Sequence, residues 1–133
     1  MKISTRGRYA LRVMVDLAEN QNGEYIAMKE IAERQEISLK YLERILPVLV
    51  KEKLIEGISG KGGGYRLTKT PKEYKLGDVL RLTEGDLAPV QCLEQNAVKC
   101  ERSSKCKTVK IWANLNNVIN DYLDSVTLQD LLN

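Results

Sequence analysis

Every cysteine of this chain, Cys92, Cys100 and Cys106, lies in the stretch CLEQNAVKCERSSKC, and the chain has no histidine. Seven and then five residues separate the three thiols. Thiols placed this way suit four kinds of chemistry. An iron–sulfur cluster takes soft thiolate ligands, and these intervals let one polar loop wrap around it. A structural zinc site wants a fourth firm ligand and favours Cys-x-x-Cys pairs, which the chain lacks. A thiol redox switch is favoured by Lys99, Arg102, Lys105 and Lys107, whose charges lower thiol pKa values. The last possibility is that the thiols are inert. The odd count argues against a closed disulfide framework. The spacing by itself is a moderate signal and leaves the four open.

Catalysis finds little support. No nucleophile–base pattern is present, and without histidine the commonest general base is missing. The stretch GKGGGY at 60–65 resembles a phosphate cradle only superficially. A nucleotide loop needs Lys-Ser/Thr at its end and a helix behind it, whereas Tyr-Arg-Leu follows here. The chain is therefore expected not to be an enzyme.

Composition bounds the rest. The 133 residues suffice for one domain with a core, with 43% apolar and 29% charged side chains. No apolar run approaches the ~20 residues a membrane helix needs, and Arg6, Arg8, Arg12 and Asp16 interrupt the first apolar stretch. The expectation is a cytoplasmic protein without a membrane partner. The net charge of +3 is mild but unevenly spread: residues 92–133 carry five acidic and five basic groups, so the excess lies in the first part. Lys2, Arg6, Arg8 and Arg12 form one basic patch, and Lys61, Arg66, Lys69, Lys72 and Lys75 a second, as a polyanion partner would require.

The elements that position these groups are legible from periodicity. TRGRYALRVMVDLAE (5–19) repeats apolar residues at Ala10, Val13, Met14 and Leu17, the period of a helix, and Ser4 can cap it. In 28–53, a short helix over 28–35 is followed by the break Glu36-Ile37-Ser38 and a second helix. The small Ala32 allows a close crossing and Ile37 plugs the corner, the pattern of a helix-turn-helix. Glu36 stands where a turn of this kind prefers glycine, because the backbone there takes positive φ. Pro47 removes one backbone bond and is expected to kink or restart the second helix. LIEGIS and YRLTK flank a glycine-rich tip and predict a hairpin. A helix-turn-helix followed by a hairpin is a winged helix. Residues 76–84 predict a short amphipathic helix, and 108–125 a long one. Trp112, Leu115, Ile119, Tyr122 and Val126 recur there at heptad-like intervals, a seam suited to a partner helix and hence to a homodimer. Thr127 and Asp130 predict a capping box for a last turn.

SLKYLERIL (38–46) is the candidate recognition helix. The N-terminal end of such a helix reaches base edges in a major groove. Arg44 is suited to guanine and Glu43 to cytosine N4, while Ser38 and Tyr41 suit phosphate and Lys40 adds charge. In the wing, Ser59, Lys61 and Arg66 are the candidate DNA contacts.

The stretches YLERIL, then LIEGISGKGGGYRL, then GDVLRLTEG, with the opening MKISTRGRYALRVMVDLA, resemble the IscR/NsrR/CymR family of bacterial winged-helix transcription regulators over essentially the whole chain. That resemblance implies a mainly α protein with a small β-hairpin, a winged helix-turn-helix plus a long C-terminal dimerisation helix. It implies a homodimer on a pseudo-palindromic double-stranded DNA operator. It also implies that Cys92, Cys100 and Cys106 hold an iron–sulfur cluster, of 2Fe-2S type, in a sensor of iron–sulfur, redox or nitric oxide status. The alternative is a cofactor-free regulator, controlled by thiol oxidation or by binding a metabolic enzyme. Two departures stand out. Relatives often carry arginine just before the wing tip, where this chain has Ser59. Relatives with a non-cysteine fourth ligand use a histidine or an acid near the N-terminus of the partner subunit, and Arg8 stands about where that acid would be. Glu94, Glu101, a backbone or solvent group, or a small external thiol are the candidates left. The expected organisation is 1–84 for DNA binding, 85–107 as sensor loop and 108–133 as dimerisation helix and terminal turn.

Overall fold

The computed structural model describes residues 2–132. Five α-helices and one hairpin follow in the order α1 (Thr5–Glu19), α2 (Met28–Gln35), α3 (Leu39–Lys51), β1 (Ile55–Ile58), β2 (Gly64–Leu67), α4 (Leu76–Glu84) and α5 (Val109–Ser125). Short 3-10 turns sit at Pro71–Glu73, Gln91–Leu93 and Leu128–Leu131. This is the mainly α winged-helix architecture expected from the periodicity.

Each start and stop has a local cause. The Ser4 hydroxyl accepts from the Gly7 N–H and caps α1. The Ser38 hydroxyl accepts from the Tyr41 N–H and caps α3. Between α2 and α3, Glu36 adopts the left-handed conformation (φ 53, ψ 44), so the turn keeps its usual geometry without glycine. Pro47 does not restart α3, which runs through it as one helix. Pro47 faces solvent, so water reaches the carbonyl that its missing N–H leaves free.

The hairpin is antiparallel, with Glu56 opposite Arg66 and Ile58 opposite Gly64. Ile26 adds a one-residue third strand. Its N–H and C=O exchange bonds of 2.8 Å with the C=O and N–H of Tyr65. Glycine at 64 is required by this approach, because a Cβ there would lie 2.2 Å from the Ile26 carbonyl oxygen. At the wing tip Gly60 takes φ +92, and its carbonyl accepts from the Gly63 N–H to close the turn.

The core gathers α1 (Val13, Met14, Leu17), Ile31, and Leu42, Ile45, Leu46 and Leu49 of α3 with Val79 of α4. Leu128 of the terminal turn joins the same core at 1% exposure, and its N–H donates to the Tyr74 carbonyl. The last residues therefore pack on the winged helix and do not continue α5. Asp130 accepts from both the N–H and the hydroxyl of Thr127, closing that turn.

One polar cluster is embedded in this core. Asp16 of α1 is 1% exposed and accepts from Arg34 Nη2 (2.8 Å), Arg34 Nε (3.0 Å) and Gln35 Nε2 (3.0 Å). Arg12 donates to the Gln35 carbonyl at the end of α2. A buried carboxylate thus fixes the helix-turn-helix to α1, with its charge fully hydrogen-bonded.

Candidate nucleic-acid interface

On α3 the buried residues Leu42, Ile45, Leu46 and Leu49 fall on one side. Lys40, Glu43 and Arg44, spaced i, i+3, i+4, are exposed together on the other. Leu39, in the first turn, is also 44% exposed. An exposed apolar residue at that end can meet a thymine methyl; sequence reading passes over Leu39 because it looks like one more core leucine. Two predicted contacts are otherwise engaged. The Ser38 hydroxyl is the α3 cap. The Tyr41 ring is half-buried, edge-on to Tyr9 with centroids 5.4 Å apart.

In the wing, Ser59 and Lys61 are exposed at the tip. Arg66 is not presented as a free cation. Its Nε pairs with Glu56 at 2.6 Å, its Nη1 donates to the Gly23 carbonyl, and its guanidinium stacks 4.3 Å over the Tyr25 ring. Arg66 therefore ties the wing to the 20–26 loop, a role invisible until the hairpin register sets it opposite Glu56.

The cysteine segment leaves α4 at Gly85 and runs to Thr108. Asp86 anchors it by accepting from the N–H groups of Ala88 (2.7 Å) and Gln95 (2.6 Å). Those donors, Gln95 foremost, hold its carboxyl below the usual range. Cys92 and Cys100 line one open groove of about 670 Å³ together with Glu94, and Cys106 lies outside it. Among the described residues no three cysteine or acidic side chains converge in metal-ligating geometry. Cys106 sits just before α5, with Sγ 3.3 Å from the Thr108 hydroxyl. That hydroxyl, then the N–H groups of Thr108 and Val109, then Arg102, pull its thiol below the ordinary range. Arg8 donates to the Ile3 carbonyl and the Thr5 hydroxyl.

The predicted seam on α5 divides. Trp112 (36%), Leu115 (40%) and Tyr122 (64%) are exposed, and so are Ile111 (59%) and Val118 (63%), which were not in the predicted set. Ile119 is half-buried. Val126 is not on the helix at all. It is extended past the end of α5, and its carbonyl accepts from the Leu76 N–H. The continuous apolar stripe is Ile111, Leu115, Val118 and Tyr122, spaced 4, 3, 4, a register equally legible in the sequence. On the opposite side Arg81 of α4 clasps Asp124 with both Nη atoms at 2.9 Å and donates to Asn120.

Comparison with known proteins decides the class. The family model described as Rrf2, iron-dependent transcriptional regulator, matches residues 3–133. The chain belongs to the Rrf2 family. It is 38% identical to protein rrf2 of Nitratidesulfovibrio vulgaris, an alignment covering 99% of this chain and 87% of that one. Its fold superposes on CymR of B. subtilis, described as the global cysteine regulator, with a TM-score of 0.81 and 34% identity over 98% of this chain and 95% of that one. The T. potens IscR structure gives 0.76 and 36% identity, covering 99% and 86% respectively. Like the rest of this Rrf2 group, the chain is a DNA-binding transcriptional regulator and not an enzyme. No helix among the described residues is long and apolar enough to cross a membrane.

Proposed function

We propose that this Rrf2-family regulator works as a homodimer on a pseudo-palindromic operator, with its DNA affinity set by an iron–sulfur cluster on Cys92, Cys100 and Cys106. The observation that carries the DNA half is the shared exposed face of Lys40, Glu43 and Arg44 at the start of α3, flanked by Lys61 on the wing. Arg44 reads a base edge, and Lys61 meets phosphate. The exposed stripe Ile111, Leu115, Val118, Tyr122 supports a second copy as the partner, since apolar residues at heptad spacing seek a matching helix.

The donor chemistry of the cysteine loop suits a cluster. Three thiols sit on one solvent-reachable segment, two of them on one groove, and Glu94 adds an oxygen donor there. Such a group, when bound, supplies a redox- and nitric-oxide-sensitive centre. The chain's own part is to hold it with the thiolates and to anchor the loop through Asp86. A second reading, a thiol switch, is favoured by the Cys106 environment, which stabilises the reactive thiolate.

One experiment separates the two. Protein prepared without oxygen is assayed for iron and sulfide, and its operator affinity is measured before and after chelation and after mild peroxide. A visible chromophore, bleached by each Cys→Ala change, with operator affinity that follows iron content, supports the cluster. Colourless, iron-free protein that resists reconstitution but loses operator binding on peroxide assigns control to the thiols. In either case Arg44→Ala is expected to weaken specific binding by about 1–3 kcal/mol. Lys61→Ala is expected to weaken all sequences alike and to flatten the salt slope by about one unit.

A further inference from the structure

The wing has one edge that nothing in the fold covers. Tyr65 spends both its N–H and its C=O on Ile26. By the alternation of an antiparallel ladder, its opposite residue Gly57 points its own N–H and C=O away from β2. Gly57 is exposed, and it lies where two open grooves meet, between β1 and the C-terminal half of α3. The wall opposite it is Val50, which lines both grooves, with Pro47 alongside. Val50 (37%) and Ile58 (50%) are exposed, so the grooves together offer an apolar floor. The rim is basic. Lys51, Lys53 and Lys69 line it, while its one carboxylate, Glu56, is already paired with Arg66.

We infer that the β1 edge is a docking site for an extended acidic peptide of a partner protein, which adds a strand at Gly57 and lays alternate apolar side chains on Val50 and Ile58. Three features specify this occupant. A free backbone donor and acceptor pair demands a strand rather than a helix. The period of two in an added strand puts every second side chain into the groove and every other one towards the lysines. Of the devices that blunt an unpaired edge, β1 (IEGI) lacks proline but is short and flanked by lysines, which leave it open to a chain of opposite charge. The lysines, in contrast, would repel a basic partner or a second copy of the same edge. The site is separate from the recognition face, where Lys40, Glu43 and Arg44 lie towards the start of α3, and the inference does not depend on what the cysteines bind.

The test uses the full-length protein and a synthetic peptide of alternating Asp and Val. Amide NMR is expected to show the Gly57 resonance shifting with peptide and its hydrogen exchange slowing. A peptide of alternating Lys and Val is expected to leave it unmoved. Val50→Glu, a change at an exposed site, is expected to weaken the Asp-Val peptide about tenfold or more, through lost apolar burial and like-charge repulsion. Should Val50→Glu fail to fold, the exposed pair Lys51→Glu with Lys53→Glu gives the same reading through charge alone. Three results overturn the inference. One is an unmoved Gly57 amide. Another is equal binding of both peptides. The third is protection of Gly57 by duplex DNA, with Val50→Glu losing DNA as Arg44→Ala does, which would assign the groove to DNA.

Discussion

Replacing Asp16 by Asn tests how the recognition unit is held. The change keeps the volume of the side chain and removes its charge. In the native protein Oδ1 accepts from Arg34 Nη2, and Oδ2 accepts from both Arg34 Nε and Gln35 Nε2. Either orientation of the new amide sets an NH2 group against at least one of these donors. At least one charge-assisted bond is lost, a surviving Arg34 bond keeps its cationic donor but loses its anionic acceptor, and a surviving Gln35 bond becomes neutral. A hydrogen bond to a charged group contributes about 1.5–3 kcal/mol and a neutral one about 1. Arg34 is 36% exposed, so water can re-solvate its guanidinium, and the penalty of a wholly buried orphan charge does not apply. The expected loss is about 2–3 kcal/mol, or roughly 8–12 °C in Tm for a domain of this size. The assay is urea unfolding followed by far-ultraviolet circular dichroism at fixed protein concentration, because association shifts apparent stability. Since Asp16 fixes the end of α2 to α1, operator binding is expected to weaken well below the melting range as well. A loss below about 0.5 kcal/mol, within the range of ordinary surface substitutions, would refute the reasoning.

Three further outcomes are expected. Leu115→Glu combined with Val118→Glu, both at exposed positions, should leave the circular dichroism spectrum intact and convert the proposed dimer to monomer in light scattering, because a paired seam would bury unpaired charge. Cys106 should alkylate with iodoacetamide with the midpoint of its rate–pH curve below that of an ordinary thiol. The sign follows from its lowered pKa: the thiolate is populated at lower pH, and Thr108→Val should move the midpoint up, as read by peptide mass spectrometry. Glu36→Gly should raise the urea midpoint by a free energy of up to about 1 kcal/mol, since glycine takes the left-handed conformation without the Cβ clash.

The helices were legible because each is amphipathic, and the capping hydroxyls of Ser4 and Ser38 place the starts of α1 and α3. The turn at Glu36 was legible from its neighbours Ala32 and Ile37, despite the wrong residue type. What escaped sequence reading depends on pairs distant in the chain. Asp16 looks like an interruption of an apolar stretch until α2 brings Arg34 and Gln35 to it. Arg66 looks like a phosphate contact until the hairpin sets it opposite Glu56. Glu84 accepts from both the N–H and the hydroxyl of Ser4, joining the end of α4 to the start of α1 across most of the chain. The α5 seam was read from periodicity alone, and two heptad registers share Leu115 and Tyr122. Arg81 claims the Asn120–Asp124 side, which leaves Ile111 and Val118 outward beside them.

The clasp between α4 and α5 has a mechanical consequence. Arg81 reaches Asn120 and Asp124, and Leu76 bonds to Val126, so α4 runs antiparallel along only the later part of α5. A helix of 17 residues is about 25 Å long, and roughly its first two turns, about 10 Å, project beyond this grip. The cysteine segment is attached at that projecting end. The helix is thus a lever with its fulcrum at Arg81 and its pulling end at Cys106. Val109 lies about 16 Å along the helix from Asn120, so a pivot of about 10° at the fulcrum carries the free tip roughly 3 Å. A ligand or bond that shortened the segment between Cys92 and Cys106 would pull on the long arm, where the least force turns the helix.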